Sequence, residues 1–246
     1  MQRVAIAPQQ RQNDTIILSP QQQHYLYRVL RLKKGDRFIA MDGEGQSWIA
    51  CLGEQQAEIL QTLLVQNELP IAVTLMVALP KGNTFDEIVR CCTELGTAAF
   101  VPILSDRVLL NPSPQKLQRW RRIATEAAEQ SERQWVPTVA DPVPFTPETL
   151  LSDAPFSRRY ICVARGNFPH LLSDLQQFKA TFPSDAVGSG DIAIAIGPEG
   201  GWTAEEVKGA IAAGFQPVSL GKRILRAATA PIVALSWAAA IFEESI

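Results

Sequence analysis

The stretch AIAIGPEGGWTAEEV, residues 193–207, decides the fold of the chain. An apolar run stops at a turn with three glycines, residues 197–202, and a helix signal follows at once, because Thr203 and Glu206 have the spacing of a capping box. A strand, a glycine turn and a helix in this order predict a βα unit. Open α/β sheets place their ligands at such turns, beyond the carboxyl ends of parallel strands.

The chemistry of this turn limits the ligand that it suits. It contains one acid, Glu199, and no lysine, and it matches neither the GxGxxG nor the GxxxxGK[ST] pattern of phosphate-binding loops. The acid opposes a pyrophosphate, while the glycines let the backbone approach a ligand closely. The pattern favours a nucleoside without phosphates and with positive charge, such as S-adenosylmethionine, over a nicotinamide dinucleotide. A tight βα turn without a ligand stays open as the alternative.

The glycine turn lies within a longer alternation of strands and helices. A second glycine stretch, SLGKRILRAATAP at 219–231, also leaves a strand and enters a helix. Unbroken apolar strands that alternate with helices predict a parallel sheet covered on both faces. The pattern predicts strands at 71–80, 98–104, 158–164, 191–197 and 215–221, and helices at 84–96, 113–133, 170–180, 203–214 and 227–242.

The first 68 residues have a different pattern. Short apolar segments separated by polar or glycine turns predict strands, and one helix is expected over 19–32, with Ser19 as its N-cap and Pro20 at its first position. This pattern is typical of a small β-barrel, and residues 65–70 are the expected linker.

Composition indicates an ordinary globular protein, with 46% apolar and 20% charged residues. The net charge of −2 gives no general attraction to nucleic acid, so RNA binding would need a local patch. Four cysteines without a CxxC pair, together with two histidines, predict no metal site and a reducing, cytoplasmic location. The N-terminus does not resemble a secretory signal, and the apolar stretch 227–242 is too short to span a bilayer.

Four segments of the chain resemble one family. IGPEGGWTAEE, followed by LGKRILRAATA, resembles the SPOUT methyltransferases, in particular the family that methylates N3 of a uridine in 16S ribosomal RNA. HYLYRVLRLKKGD is similar to a segment of that family's N-terminal PUA-like barrel, and EAAEQSER is similar to its central helix motif. The resemblance covers essentially the whole chain in the right order.

The resemblance implies an α/β protein with two domains. Residues 1–68 would form a PUA-like RNA-binding β-barrel, and 71–246 a SPOUT methyltransferase domain with a mainly parallel sheet and a deep trefoil knot, an exception to the rule that chains do not thread their own loops. It also implies a homodimer that acts on 16S rRNA or on the assembled small ribosomal subunit, with S-adenosylmethionine as cofactor and neither metal nor membrane. The alternative is a non-catalytic RNA-binding ribosome-assembly factor that has kept the fold.

The resemblance further implies which residues line the donor pocket. Three walls are expected: Val163, Ala164 and Arg165; then Gly197, Pro198, Glu199, Gly200 and Gly201; then Leu220, Gly221, Ile224, Leu225 and Arg226. Arg226 would steady negative charge on the uracil ring, and Glu199 is the remaining nearby candidate for a base. The chain has Ala228 where the family usually has a glutamate, which leaves the general base open.

Residues 1–37 form a basic segment, with seven Lys or Arg and two acids. Arg28 and Arg31 are expected on one helical face, one turn after His24. Guanidinium groups beside rings suit RNA phosphates and splayed bases. We therefore expect Arg3, His24, Arg28 and Arg31 to contact RNA, with a solvated helix face as the alternative.

Overall fold

The computed structural model describes residues 1–107, 111–150, 156–181 and 191–243. The chain divides into two compact units. The first is Met1–Glu68 with Thr125–Val136, and the second is Leu69–Ala124 with Pro137–Ile246.

The first unit contains a six-stranded sheet that curls into a half-barrel. The strand order is β1-β4-β5-β6-β3-β2; β1 pairs with β4 in parallel and the other pairs are antiparallel. Phe38, Trp48 and Leu52 lie in its buried core. Its elements are β1 Arg3–Ala5, β2 Arg11–Gln12, β3 Thr15–Ile17, α1 Pro20–His24, β4 Arg37–Met41, β5 Ser47–Leu52 and β6 Gln56–Leu63.

The helix expected over 19–32 is shorter than predicted. Ser19 caps it as expected, but α1 ends at His24 and a π-helical turn, Tyr25–Val29, follows. Arg31 then adopts a left-handed conformation with φ 56°. The widened turn and this reversal end the helix, so Arg28 and Arg31 do not share a helical face.

A segment from the middle of the chain completes the first unit. The carboxylate of Glu68 accepts hydrogen bonds from the Arg133 guanidinium, at 2.7 Å from Nη2, and from the backbone N–H groups of Gln134 and Trp135. Glu132 pairs with Arg3. These bonds join residues more than sixty positions apart in the chain, so sequence periodicity could not reveal them.

The second unit is built on a parallel sheet, which confirms the predicted architecture. The order is β10-β8-β7-β12-β11-β13, β9 also pairs with β8, and every pairing among the described residues is parallel. The elements are β7 Val73–Ala78, α2 Thr84–Glu94, β8 Ala99–Leu104, α3 Pro114–Gln130, β9 Thr138–Val139, β10 Val143–Pro144, α4 Pro147–Leu150, β11 Arg158–Cys162, α5 Leu171–Thr181, β12 Ile192–Ile196, α6 Ala204–Ala212, β13 Gln216–Val218 and α7 Thr229–Glu243.

The central strand β12 explains why the apolar runs are unbroken. All five of its residues are buried. Ala193 and Ala195 pack in one apolar cluster with Ala210 of α6, and alternation of side chains places the isoleucines of β12 on the opposite face. α7 contacts β12 and β7, and α2 and α5 pack against α7. Helices therefore cover the faces of the sheet, and the loops lie at the ends of its strands.

Candidate active site

The candidate site lies where neighbouring parallel strands end. β7, β12, β11 and β13 are adjacent in the sheet and run in the same direction, so the loops that follow them meet at one edge. Three of these loops carry the predicted donor walls: 163–165 in the first, 197–201 in the second, and Leu220, Gly221, Ile224, Leu225 and Arg226 in the third. The fold thus brings the three walls to the same edge of the sheet, which is where open α/β sheets bind their ligands.

The glycine turn is closed by its own hydrogen bond and anchored by two other loops. The N–H of Gly201 donates to the Pro198 carbonyl at 2.8 Å, and Gly201 has φ 70°, a conformation that favours glycine. The Glu199 carboxylate accepts from the backbone N–H of Lys81 at 3.0 Å. Arg107, in the loop after β8, donates to the Gly200 carbonyl. The turn is therefore held by the loops after β7 and β8.

Trp202 fixes the turn against β11. Its indole Nε1–H donates to the Cys162 carbonyl at 3.2 Å, and its ring stacks on Phe145, with centroids 4.2 Å apart and an interplanar angle of 19°. A Cβ on Gly197 would lie 3.1 Å from two atoms of this indole. Glycine at 197 therefore allows the indole to pack directly against the backbone of the turn.

Helix α6 starts with the predicted capping box and an added bond. Thr203 Oγ1 accepts from the Glu206 N–H at 3.1 Å, and Glu206 accepts from the Thr203 N–H at 2.7 Å. The same carboxylate accepts from the Asp106 N–H at 3.0 Å, and Glu206 is buried. The loop after β8 is thus joined to the first turn of α6.

The loop of the third wall is joined to the loop of the first wall by backbone hydrogen bonds beside His170. Its Nδ1 accepts from the Leu172 N–H at 3.2 Å, and the Leu171 N–H donates to the Ser219 carbonyl at 3.0 Å. Gly221 has φ 108°, and a Cβ there would lie 3.7 Å from His170 Nε2. Ser219 Oγ accepts from the Gly221 N–H at 3.1 Å.

The expected chemical residues lie in different environments. Arg226 is exposed, and its carbonyl accepts from two N–H groups at the start of α7. Glu199 is engaged with the backbone of Lys81, so the turn itself uses this acid. Burial raises the pKa of the Cys162 thiol to about 12, so it stays protonated at neutral pH and is not a nucleophile.

The predicted RNA residues of the first unit do not form one group. His24, Arg28 and Arg31 are exposed, but Arg3 is only 8% exposed and its Nη2 donates to Glu132 at 3.0 Å. Arg3 is therefore the least accessible of the four residues, because its buried guanidinium would have to leave the exposed Glu132 to reach RNA. Its contact with RNA stays a prediction.

Sequence reasoning missed Arg107, Trp202 and His170. Arg107 directly follows a buried strand, which is a weak signal for a site residue. Trp202 lies beside the quoted glycines, but its bond to Cys162 depends on tertiary structure. His170 gave no sequence signal beyond its position before α5.

The described residues contain neither a metal cluster nor a membrane helix. Among them, no group of three or more His, Cys, Asp or Glu is arranged to hold a metal ion. No helix in that same part of the chain is both long and apolar enough to cross a membrane.

Comparison with known proteins shows that this fold belongs to the class of RNA methyltransferases. Residues 67–239 match the family model described as "RNA methyltransferase domain", and residues 18–60 match "RNA methyltransferase PUA domain". The chain is 52% identical over 98% of its length to the "Ribosomal RNA small subunit methyltransferase E" of Synechocystis, covering 78% of that protein. It is 32% identical to the Bacillus subtilis protein of the same name, over 90% of this chain and 88% of that one. The chain belongs to the ribosomal RNA small subunit methyltransferase E family.

Solved structures agree with this assignment. The methyltransferase E of Neisseria gonorrhoeae bound to S-adenosyl methionine is 30% identical, with a TM-score of 0.81, over 96% of this chain and 95% of that one. A methyltransferase of Legionella pneumophila in complex with the same cofactor is 28% identical, with a TM-score of 0.80, over 97% and 96%. These likenesses confirm the expected SPOUT-type α/β fold, while the passage of the chain through a knot stays a prediction.

Proposed function

We propose that this protein transfers the methyl group of S-adenosylmethionine to N3 of a uridine in the 16S rRNA of the small ribosomal subunit. Family membership supports the methyltransferase class. The observation that carries the proposal is the anchored glycine turn, whose acid disfavours phosphate and whose Gly201 faces open space, with nothing within 4 Å of where a Cβ would be. The N3 position and the 16S target rest on the sequence resemblance.

The three predicted walls would hold an adenosyl donor. Val163, Ala164 and Arg165 would form the first wall, Gly197, Pro198, Glu199, Gly200 and Gly201 the second, and Leu220, Gly221, Ile224, Leu225 and Arg226 the third. The donor supplies an electrophilic methyl group on a sulfonium. Two solved relatives hold this donor, which supports the same ligand here. Ile224 is 65% exposed, so a ligand in this position would cover an apolar side chain that now faces solvent.

The proposed chemistry relies on placement and charge. Uracil N3–H must lose its proton before or during transfer. Arg226 is exposed beside the third wall, and its guanidinium would stabilise the negative charge on the uracil ring. It cannot accept the proton, because a guanidinium group has N–H donors and no acceptor. The Glu199 carboxylate is hydrogen-bonded to the Lys81 N–H, and Ala228 has no acid, so we infer that water takes the proton.

The location, the oligomeric state and the RNA contacts of the protein are proposed from the same resemblance. The protein would act in the cytoplasm as a homodimer, and its first unit would contact RNA through His24, Arg28 and Arg31, which are exposed.

One observation favours a second candidate, a ribosome-assembly factor that binds RNA without methylating it. Ala228 replaces the glutamate usual in the family. The anchored glycine turn opposes this candidate, since a protein without a donor has no need of a close-approach loop held by two other loops.

The test is methyl transfer to under-methylated small ribosomal subunits. The protein is incubated with labelled S-adenosylmethionine, and the modified base is mapped. Label at N3 of one 16S uridine is expected. Calorimetry should show S-adenosylmethionine binding and no NAD binding. Donor binding without transfer would favour the assembly factor, and tighter binding of NAD would contradict the donor assignment.

A further inference from the structure

The loops at the carboxyl edge of the sheet are rich in positive charge. The loops that follow β7, β8, β11, β12 and β13 contain six Lys or Arg and two acids, a net charge of +4 in a chain of net −2. One of the acids, Glu199, already accepts a backbone N–H. The edge that carries the candidate site is therefore strongly positive.

These cations differ from the others in the second unit. Five exposed side chains there have no hydrogen bond, ion pair or ring contact with a described residue: Lys81, Arg165, Lys222, Arg223 and Arg226. All five lie in loops at this edge. Elsewhere in the unit, cations have partners, for example Arg90 with Glu94 and Lys208 with Glu205.

The unpartnered cations stand on both sides of the glycine turn. In the sheet order, the loop after β7 with Lys81 lies on one side of β12, and the loops after β11 and β13 lie on the other. Neighbouring strands are about 4.8 Å apart, so the edge from β7 to β13 spans roughly 14 Å. This width accommodates more than one nucleotide.

We propose that Lys81, Lys222 and Arg223 form a phosphate-binding rim that holds the backbone of single-stranded RNA on both sides of the donor pocket. The inference rests on the proposed function for its substrate, and it gives the second unit an RNA surface of its own. Charge complementarity identifies the partner: exposed cations without protein partners suit phosphodiesters, and each such pairing contributes sequence-independent, salt-dependent affinity. The central glycine turn lacks cations, so the target base can approach it while flanking phosphates are held.

The test compares two triple variants with equal change of charge. The rim variant is Lys81→Ala with Lys222→Ala and Arg223→Ala. The control is Arg90→Ala with Arg121→Ala and Lys208→Ala, which removes cations that are ion-paired in the same unit. Affinity for a labelled, uridine-containing single-stranded RNA is measured by fluorescence anisotropy over a salt series. The rim variant should bind more weakly, and its log–log salt slope should fall by about 0.7 for each phosphate that the protein no longer neutralises.

Equal slopes for the rim variant and the control would overturn the rim, because they would show a general charge effect. Donor binding by calorimetry should stay unchanged in the rim variant. If thermal unfolding shows a folding defect, the single variants replace the triple. Wild-type protein that binds RNA through the rim but transfers no methyl group would support the rim and contradict the proposed function.

Discussion

At the residue scale, Glu199 has a structural role that the sequence did not reveal. Its carboxylate accepts the N–H of Lys81 at 3.0 Å and so ties the glycine turn to the loop after β7. Trp202 does the same towards β11 through the Cys162 carbonyl. These bonds hold the turn in one conformation without a ligand, which reduces the entropy that would be lost in ordering the turn when a ligand binds.

Gly197→Ala should destabilise the protein by about 1–3 kcal/mol, because the added Cβ would meet the Trp202 ring at 3.1 Å. Phe145 and the Cys162 carbonyl hold that ring, so it cannot move away. Urea unfolding measures the loss. In the control Gly200→Ala, the nearest atom is Cδ of the exposed Arg107 side chain at 3.2 Å, which can move. Equal losses in both variants would contradict the explanation.

Arg226→Lys should lower the single-turnover methyl-transfer rate. A point charge does not reproduce the planar guanidinium that we propose stabilises the uracil anion. The wild-type rate should rise from about pH 6 to about pH 9 without a descending limb, since no catalytic acid is involved. A rate independent of pH, where methyl transfer itself limits turnover, would count against this role.

At the scale of elements, the start of α6 shows how a loop from another strand supports a helix. Glu206→Ala should lower the free energy of unfolding by about 1–3 kcal/mol, because it removes the acceptor of both the Thr203 and the Asp106 N–H groups. Chemical denaturation measures the change. Glu205→Ala, whose side chain is 80% exposed, should change stability by less than about 0.5 kcal/mol. Similar losses would show that the capping network contributes little.

Near the end of α3, Glu129 should make the stability of the protein depend on pH. Burial raises the pKa of its carboxyl, although the Ala5 N–H donates to it at 2.6 Å. The folded state favours the protonated form of this carboxyl. The stability that Glu129 contributes is therefore fully present below its pKa in the unfolded chain, and it is lost as the pH rises through its pKa in the folded protein. When the free energy of unfolding is measured from about pH 4 upwards, the Glu129→Gln variant should not show this loss of stability with rising pH. An identical pH profile for the variant and the wild type would refute it.

At the scale of the whole molecule, each unit carries its own exposed cations. Arg28→Ala with Arg31→Ala should weaken RNA binding and lower the log–log salt slope by roughly 0.7 to 0.9 for each phosphate that is no longer neutralised. Donor binding should stay intact, because neither residue lies in the unit that carries the donor walls. Salt-dependent RNA binding and calorimetry test both statements. An unchanged slope would mean that these arginines are only a solvated surface.

The parallel sheet and the order of its strands and helices were predictable from local pattern. The alternation of apolar strands with amphipathic helices, the capping box at Thr203 and the glycine turn all depend on residues close in sequence. Very short strands such as β9 and β10 were not predicted, because two residues carry no periodicity. The helix over 19–32 was predicted too long, since the pattern could not reveal the π turn or the reversal at Arg31.

The sequence by itself determined that this chain has a βα turn suited to a nucleoside and an N-terminal unit of short strands, because local hydrophobic period and glycine chemistry specify both. Tertiary structure alone decided which atoms anchor the turn, since Lys81 is 118 residues from Glu199 and Arg107 is 93 residues from Gly200. It also decided that Arg3 is buried against Glu132, 129 residues away, while Lys81 and Arg223 stay exposed. The sequence does not distinguish a buried cation from an exposed one, because only the folded chain determines whether a carboxylate lies beside it.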